Sequence, residues 1–326
     1  MGSIIALACA LTWSFAVILL KRSTQQVHPY VLNFTKNFFG LVLTIPTLYF
    51  VEEGFTFNFA YQDVFFIALS GILGIGIADA LLLKALSMID ASKLAVIECI
   101  YSPAVLILSA IFFAEYPSIS SLLGIALVLT GVFLVATSKI SKRGLLNFRR
   151  TRRQMKADKR NKLASKNAGE QMAAPVSPTV GEKEAVLGAV LGTSAVFLMA
   201  IGIIIVKPFF NDVPLFWIIF LRLFFGTVAS FLLVFTISNH KEAWSSLLKV
   251  TRRVELVAAC FIGTYISMML WVASYKYQDA GIAAVLNQSA TIFTVLFAMI
   301  FLKEKISLRT ALAIVLALIG ILVIVL

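Results

Sequence analysis

The sequence predicts an all-α integral membrane protein, with ten transmembrane helices arranged as two inverted five-helix repeats, and three observations carry that expectation. Hydrophobic residues make up 60% of the 326 and charged residues 13%, whereas soluble domains are nearer ~45–50% apolar. The chain also repeats itself. Gly188 to Lys207 aligns with Gly2 to Lys21, and Lys36-Asn37-Phe38-Phe39-Gly40 with Arg222-Leu223-Phe224-Phe225-Gly226, both at an offset of 186; further on, Ala91, Ala95, Glu115 and Gly131 match Ala280, Ala284, Glu304 and Gly320 at 189. Between the halves, Lys139 to Glu184 holds thirteen Lys or Arg against four acids, so this strap carries +9 of the net +12.

A helix that spans a bilayer needs about 20 mostly apolar residues. Segments of that kind fall at about 3–20, 30–50, 63–83, 91–113 and 118–138, then 186–206, 214–237, 254–275, 280–302 and 307–325. Pro, Asn, Ser or charged residues punctuate them, as at His28-Pro29, Tyr116-Pro117-Ser118 and Asp212-Val213-Pro214. The first run begins without a basic leader and has a counterpart in the second half, so it is expected to stay in the mature protein. Gly71, Gly74, Gly76, Gly188 and Gly192 are small residues that let helix backbones approach in lipid.

Cytoplasmic loops carry an excess of Lys and Arg. Alternate connections sort accordingly: eleven bases against four acids lie on the strap's side, and six acids against Lys207 and Lys276 on the other. This places the strap, residues 139–185, in the cytoplasm of a cell-membrane protein, with both termini on the far side. It also divides the chain into a first repeat at 1–138 and a second at 186–326. Five spans per repeat then invert one repeat relative to the other, as in many secondary transporters. The strap is too polar to fold alone and is expected to be disordered, with its basic first half able to touch anionic lipid headgroups.

Several functions are excluded. Outside the strap fifteen bases face twelve acids, which leaves no basic face for nucleic acid. Cys9, Cys99 and Cys260 sit in apolar runs without ligand spacing. No nucleotide-binding glycine loop, zinc motif or Ser/His/Asp set is present, so neither an enzyme nor a cofactor is expected.

Ionisable residues inside a bilayer cost about 2.5–3.5 kcal/mol each on insertion scales and tend to be functional. Lys36, Asp79, Glu98 and Arg222 qualify. Lys36 and Glu98 lie at similar depths from the same face and are expected to form an ion pair, with Glu98 and Asp79 as candidates for proton coupling. Arg222 repeats Lys36 in the second half, and Asn287, followed by Gln288, repeats Glu98. Together with Trp13, Tyr101, Tyr265 and Trp271, these residues are the candidates for substrate binding or gating. Asn33 and Asn37 are further polar candidates for a cavity wall. Glu115 and Glu304, just before Ser118 and Ser307, are expected to cap the next helix in each case.

The chain resembles the EamA-type branch of the drug/metabolite transporter superfamily in Ala-Leu-Thr-Trp-Ser-Phe (10–15) with Lys21, a basic residue early in the second helix of each half, Ala-Glu-Tyr-Pro-Ser-Ile (114–119), Leu-Lys-Glu-Lys-Ile-Ser-Leu (302–308) and the Gly131/Gly320 pair. The resemblance covers both halves and leaves out the strap. Met199 stands where the first half has Trp13, and the strap is longer than the family's short connection. The resemblance implies a ten-helix secondary carrier, commonly an exporter of amino acids or related metabolites, that holds its small-molecule substrate between the repeats. The competing expectations are a nucleotide-sugar or phosphorylated-sugar exchanger of an organelle, and a receptor or scaffold that works through the strap.

Overall fold

The structure, a computed structural model, describes residues 2–52, 59–113, 119–136, 179–237, 239–277 and 280–325. Among the described residues every regular element is a helix. The first half contains α1 (Gly2–Ser23), α2 (Pro29–Val51), α3 (Tyr61–Met88), α4 (Ala91–Glu98), α5 (Tyr101–Phe113) and α6 (Ile119–Ala136). The second contains α7 (Thr179–Val206), α8 (Leu215–Phe235), α9 (His240–Leu248), α10 (Arg253–Lys276), α11 (Ala280–Gln288), α12 (Ala290–Phe301) and α13 (Leu308–Val325). Among the described residues seven stretches are long and apolar enough to cross a membrane, and Leu286–Phe301 and Leu308–Gly320 are shorter apolar helices.

Three features depart from the sequence expectations. α7 begins at Thr179, so its first turns lie inside the segment expected to be disordered linker; the rest of that linker lies outside the described residues. α9, expected as loop, is a short helix that sets Trp244 edge-on to Phe34 at 5.3 Å. The fourth segment of each half, expected as one helix, is broken: α4 ends at Glu98 and α5 starts at Tyr101, while Ser289 alone separates α11 from α12. At the breaks the backbone tightens to three-residue turns, with Cys99 N donating to Val96 O at 3.1 Å and Ser289 N to Leu286 O at 3.1 Å. Pro103, which cannot donate to the preceding turn, accounts for the first break.

The third segment of each half contains a π-helical stretch, Ile72–Ala78 in α3 and Phe261–Ile266 in α10. The two start 189 residues apart, so they are the same feature in both repeats. Such wide turns leave carbonyls without their usual partners and gather at functional sites. Asn33 Nδ2 donates to Ile75 O at 3.2 Å and Gly76 O at 3.0 Å, and Asn37 Nδ2 to Ile75 O at 3.2 Å. These two asparagines therefore hold the π turn in place.

The repeats interlock. α1 packs against α10, α11 and α12 of the other half, α7 against α3 and α5, α2 against α8, and α6 against α13. Glycine permits the closest crossings. A Cβ on Gly226 of α8 would lie 2.7 Å from Ile75 Cβ, and one on Gly40 of α2 would lie 2.6 Å from Thr264 Cγ2. Gly40 and Gly226 are repeat equivalents, as are Ile75 and Thr264, so each half offers a glycine to the other's π stretch. Among the closing helices a Cβ on Gly131 would lie 2.7 Å from Ala313 O.

Candidate substrate cavity

Between the repeats lies a cavity of about 120 Å³. Of the residues singled out by sequence, Trp13, Lys36, Asp79, Glu98, Tyr101, Arg222, Trp271, Asn287 and Gln288 line it. Tyr265 does not. It turns to α2, where its hydroxyl meets Thr47 Oγ1 at 2.6 Å.

Both π stretches and both helix breaks face this space. Gly74 and Ile75 come from one π stretch and Gly263 and Thr264 from the other, while Glu98 and Gln288 end the two broken helices. Backbone irregularity in a membrane helix is tolerated where it is buried in protein or lines a cavity. The repeat pattern thus delivers its irregular turns and its polar side chains to one place.

The expected pairing of Lys36 with Glu98 is corrected. Lys36 Nζ donates to Asp79 Oδ2 at 2.5 Å and to Asn37 Oδ1 at 2.7 Å, and Lys36 and Asp79 are only 3% and 6% exposed. The reason is the length of α3, whose 28 residues run on to Met88. Asp79 therefore lies well inside the helix, at the depth of Lys36. Glu98 instead stands with Trp13 and Asp79 on the wall of the cavity. Among the described residues no Lys or Arg comes within 4 Å of its carboxylate.

Arg222 is 2% exposed and likewise has no carboxylate within 4 Å among the described residues. Its Nη1 donates to Ser70 Oγ at 2.5 Å and to Gly202 O at 3.5 Å, and its guanidinium carbon lies 5.6 Å from the Trp271 ring centroid. Nε has no partner. The asymmetry with Lys36 has a sequence cause, because the repeat equivalent of Asp79 is Met268. Leaving a buried charge unpaired costs several kcal/mol, a cost that an anion entering the cavity would lower.

Two more buried atoms on the walls lack partners, Asn287 Oδ1 and Thr264 Oγ1. Asn287 Nδ2 donates to Ser274 Oγ at 2.9 Å, which leaves its carbonyl oxygen free to accept. Gln288 Nε2 donates to Thr291 Oγ1 at 3.1 Å. Tyr101 and Tyr275 share a hydrogen bond at 3.0 Å beside Trp271, giving the cavity an aromatic wall. Sequence reading missed Thr264, Ser267 and Met268. The repeat offset could have found them, since they match Ile75, Ala78 and Asp79.

Glu304 also departs from expectation. It caps α4 rather than the helix after it: its carboxylate accepts from Ala91 N at 3.0 Å, Ser92 N at 3.1 Å and Ser92 Oγ at 2.5 Å. Ser307 caps its own helix by accepting from Thr310 N at 3.1 Å. Glu115 lies outside the described residues. Next to Glu304, Lys21 Nζ donates to Leu86 O and to Ile89 O, the latter at 2.5 Å, and Arg22 Nη2 donates to Phe301 O at 2.8 Å. The ends of α1, α3, α4 and α12 are thereby tied together.

Comparison with known proteins agrees with this architecture. One solved structure, described only as the crystal structure of a protein, is similar with a TM-score of 0.61 over 99% of this chain and 95% of its own, at 16% identity, a likeness of fold alone. A search of curated proteins gave no match. The EamA-like transporter family matches residues 1–137 and again 186–326, one match for each half. The chain belongs to the EamA-like transporter family and is a multi-pass membrane transporter.

Proposed function

We propose that the protein is a secondary-active exporter of small polar metabolites, with amino acids or similar carboxylated compounds as the substrate class, working by alternating access between inverted repeats at 1–138 and 186–326. The observation that carries this reading is Arg222, a buried guanidinium without a carboxylate partner on the wall of a central cavity. It is suited to a substrate carboxylate, and the free Asn287 Oδ1 and Thr264 Oγ1 supply acceptors for the rest of a polar molecule. The volume of about 120 Å³ favours a small metabolite over a nucleotide-linked sugar. The matched packing of Gly40 on Thr264 and Gly226 on Ile75 supports alternation, because each repeat presents the same contact to the other.

The distribution of basic residues supports a cytoplasmic linker over residues 139–185 and non-cytoplasmic termini in the cell membrane. A reporter placed at Asn167 is expected to be cytoplasmic and one fused after Leu326 non-cytoplasmic. The function is tested by efflux from vesicles that contain the purified protein and are loaded with amino acids. Efflux above that of protein-free vesicles, strongly reduced by Arg222→Ala at equal membrane abundance, is expected. Undiminished efflux in that variant would remove Arg222 from the binding site.

A further inference from the structure

Two opposite charges face the cavity without an ionic partner among the described residues, the Arg222 guanidinium and the Glu98 carboxylate. The other cation on the wall, Lys36, is committed to Asp79 at 2.5 Å and Asn37 at 2.7 Å. With all four groups ionised the cavity is neutral, yet Arg222 bears the cost of an unpaired buried charge and the half-buried Glu98 carboxylate bears part of such a cost. A zwitterion relieves both costs at once, its carboxylate on Arg222 and its ammonium on Glu98. In an empty carrier the same relief at Glu98 comes from a proton. Ammonium and proton therefore compete for one carboxylate.

We propose that Glu98 is the proton-binding site of a substrate-for-proton exchange, in which a zwitterionic substrate and a proton occupy this carboxylate alternately. On the side where substrate leaves, Glu98 releases the ammonium and takes up one proton, so that the neutral acid makes the return crossing. On the side where substrate binds, the acid gives that proton to water and the carboxylate receives the ammonium. One proton thus crosses against each zwitterion, and no bond of the substrate changes. This inference rests on the carrier reading above.

The other ionisable groups around Glu98 fit this division of labour. Asp79 is held by Lys36, Cys99 and Tyr101 lie just after Glu98 on its own segment, and Cys9 and Arg222 stand on facing helices. α12, packed against α4, carries no charged residue.

The test uses the full chain in vesicles with a trapped pH-sensitive dye, and L-threonine, L-leucine and L-phenylalanine as probes. An outward gradient of a transported amino acid is expected to acidify the lumen, whereas propionate, which has no ammonium, is not. Glu98→Gln is expected to lose the proton movement down to the level of empty vesicles and to retain only a weaker amino-acid exchange that no longer varies with pH; Glu98→Asp is expected to restore proton movement. Amino-acid flux without opposite proton flux in the wild type would overturn the coupling and leave the carrier reading standing. Absence of flux for all three probes would overturn the carrier reading for zwitterions, and the coupling with it. Proton movement that persists in Glu98→Gln would move the site elsewhere. Should that variant fail to purify, an exchange pH profile in Glu98→Asp identical to wild type would overturn the assignment.

Discussion

Lys36 and Asp79 form a buried ion pair at 2.5 Å, joining α2 to α3 on the wall of the central cavity. Breaking such a pair by removing one partner leaves a stranded charge and costs about 3–5 kcal/mol. Asp79→Asn is therefore expected to lower the melting temperature in detergent sharply, and Lys36→Met with Asp79→Leu, which removes both charges, to cost less than Asp79→Asn alone. Thermal unfolding of the single and double variants decides the matter. An Asp79→Asn variant as stable as wild type would mean that Asn37, at 2.7 Å from the ammonium, suffices to hold it.

Two neighbouring glycines in α3 separate folding from cavity shape. A Cβ on Gly71 would lie 2.4 Å from Arg222 O and 2.7 Å from Arg222 Cα, both backbone atoms that cannot move without shifting α8. A Cβ on Gly74 meets only Arg222 Nη2, at 3.4 Å. Overpacking costs about 1–3 kcal/mol, so Gly71→Ala is expected to destabilise clearly. Gly74→Ala is expected to fold normally but to narrow the cavity and weaken substrate binding. Melting temperature and substrate affinity, measured for both variants, should rank in opposite orders.

His28 starts α2, its Nδ1 accepting from Tyr30 N at 3.4 Å. Burial first, and then the charge of Lys84, lower its pKa from 6.5 to about 4. Between those values the unfolded chain binds the proton that the folded chain refuses, so the contribution of neutral His28 is full above pH 6.5 and is lost as pH falls toward 4. Partial exposure keeps the effect modest. His28→Asn retains a cap acceptor that does not titrate, and melting curves at pH 7.5 and pH 5 should show wild type losing ground to it at the lower pH. A difference between the two proteins that does not change with pH would contradict this.

The fold was legible in the sequence because its signals are long and repeated. Apolar runs define the spans, and the 186 to 189 offset pairs Gly40 with Gly226 across the molecule. The membership of the cavity was nearly as legible, since a charge or amide inside an apolar run has few places to go. Which side chains pair was not legible. Lys36 meets Asp79 rather than Glu98 because α3 runs past residue 83, the boundary its hydropathy suggested, and because the π stretch from Ile72 to Ala78 rotates the facing of Asp79 and the later turns of α3. No local motif announces a π turn. The cap given by Glu304 to α4 depends on two segments more than 200 residues apart, and proximity of that kind has no sequence period.

The carboxylate of Glu304 also decides how the broken fourth segment is held. Lys303 takes a left-handed φ of 54° and closes α12, with Glu304 N donating back to Ala298 O at 3.2 Å. This turn aims the Glu304 carboxylate at the first amides of α4, where negative charge is favoured by the helix dipole. The bond set crosses from the second repeat to the first, so it fixes the start of the helix that terminates at Glu98. Loss of such a cap costs about 0.5–2 kcal/mol. Glu304→Ala is accordingly expected to lower stability by that order, and to raise amide exchange over residues 90–97 well above wild type while leaving 210–230 unchanged. Glu304→Gln, which keeps one acceptor oxygen, should fall between the two. Hydrogen exchange read by mass spectrometry on the three proteins measures this directly. Equal protection of 90–97 in all of them would show that α4 is held by its packing on α12 rather than by this carboxylate.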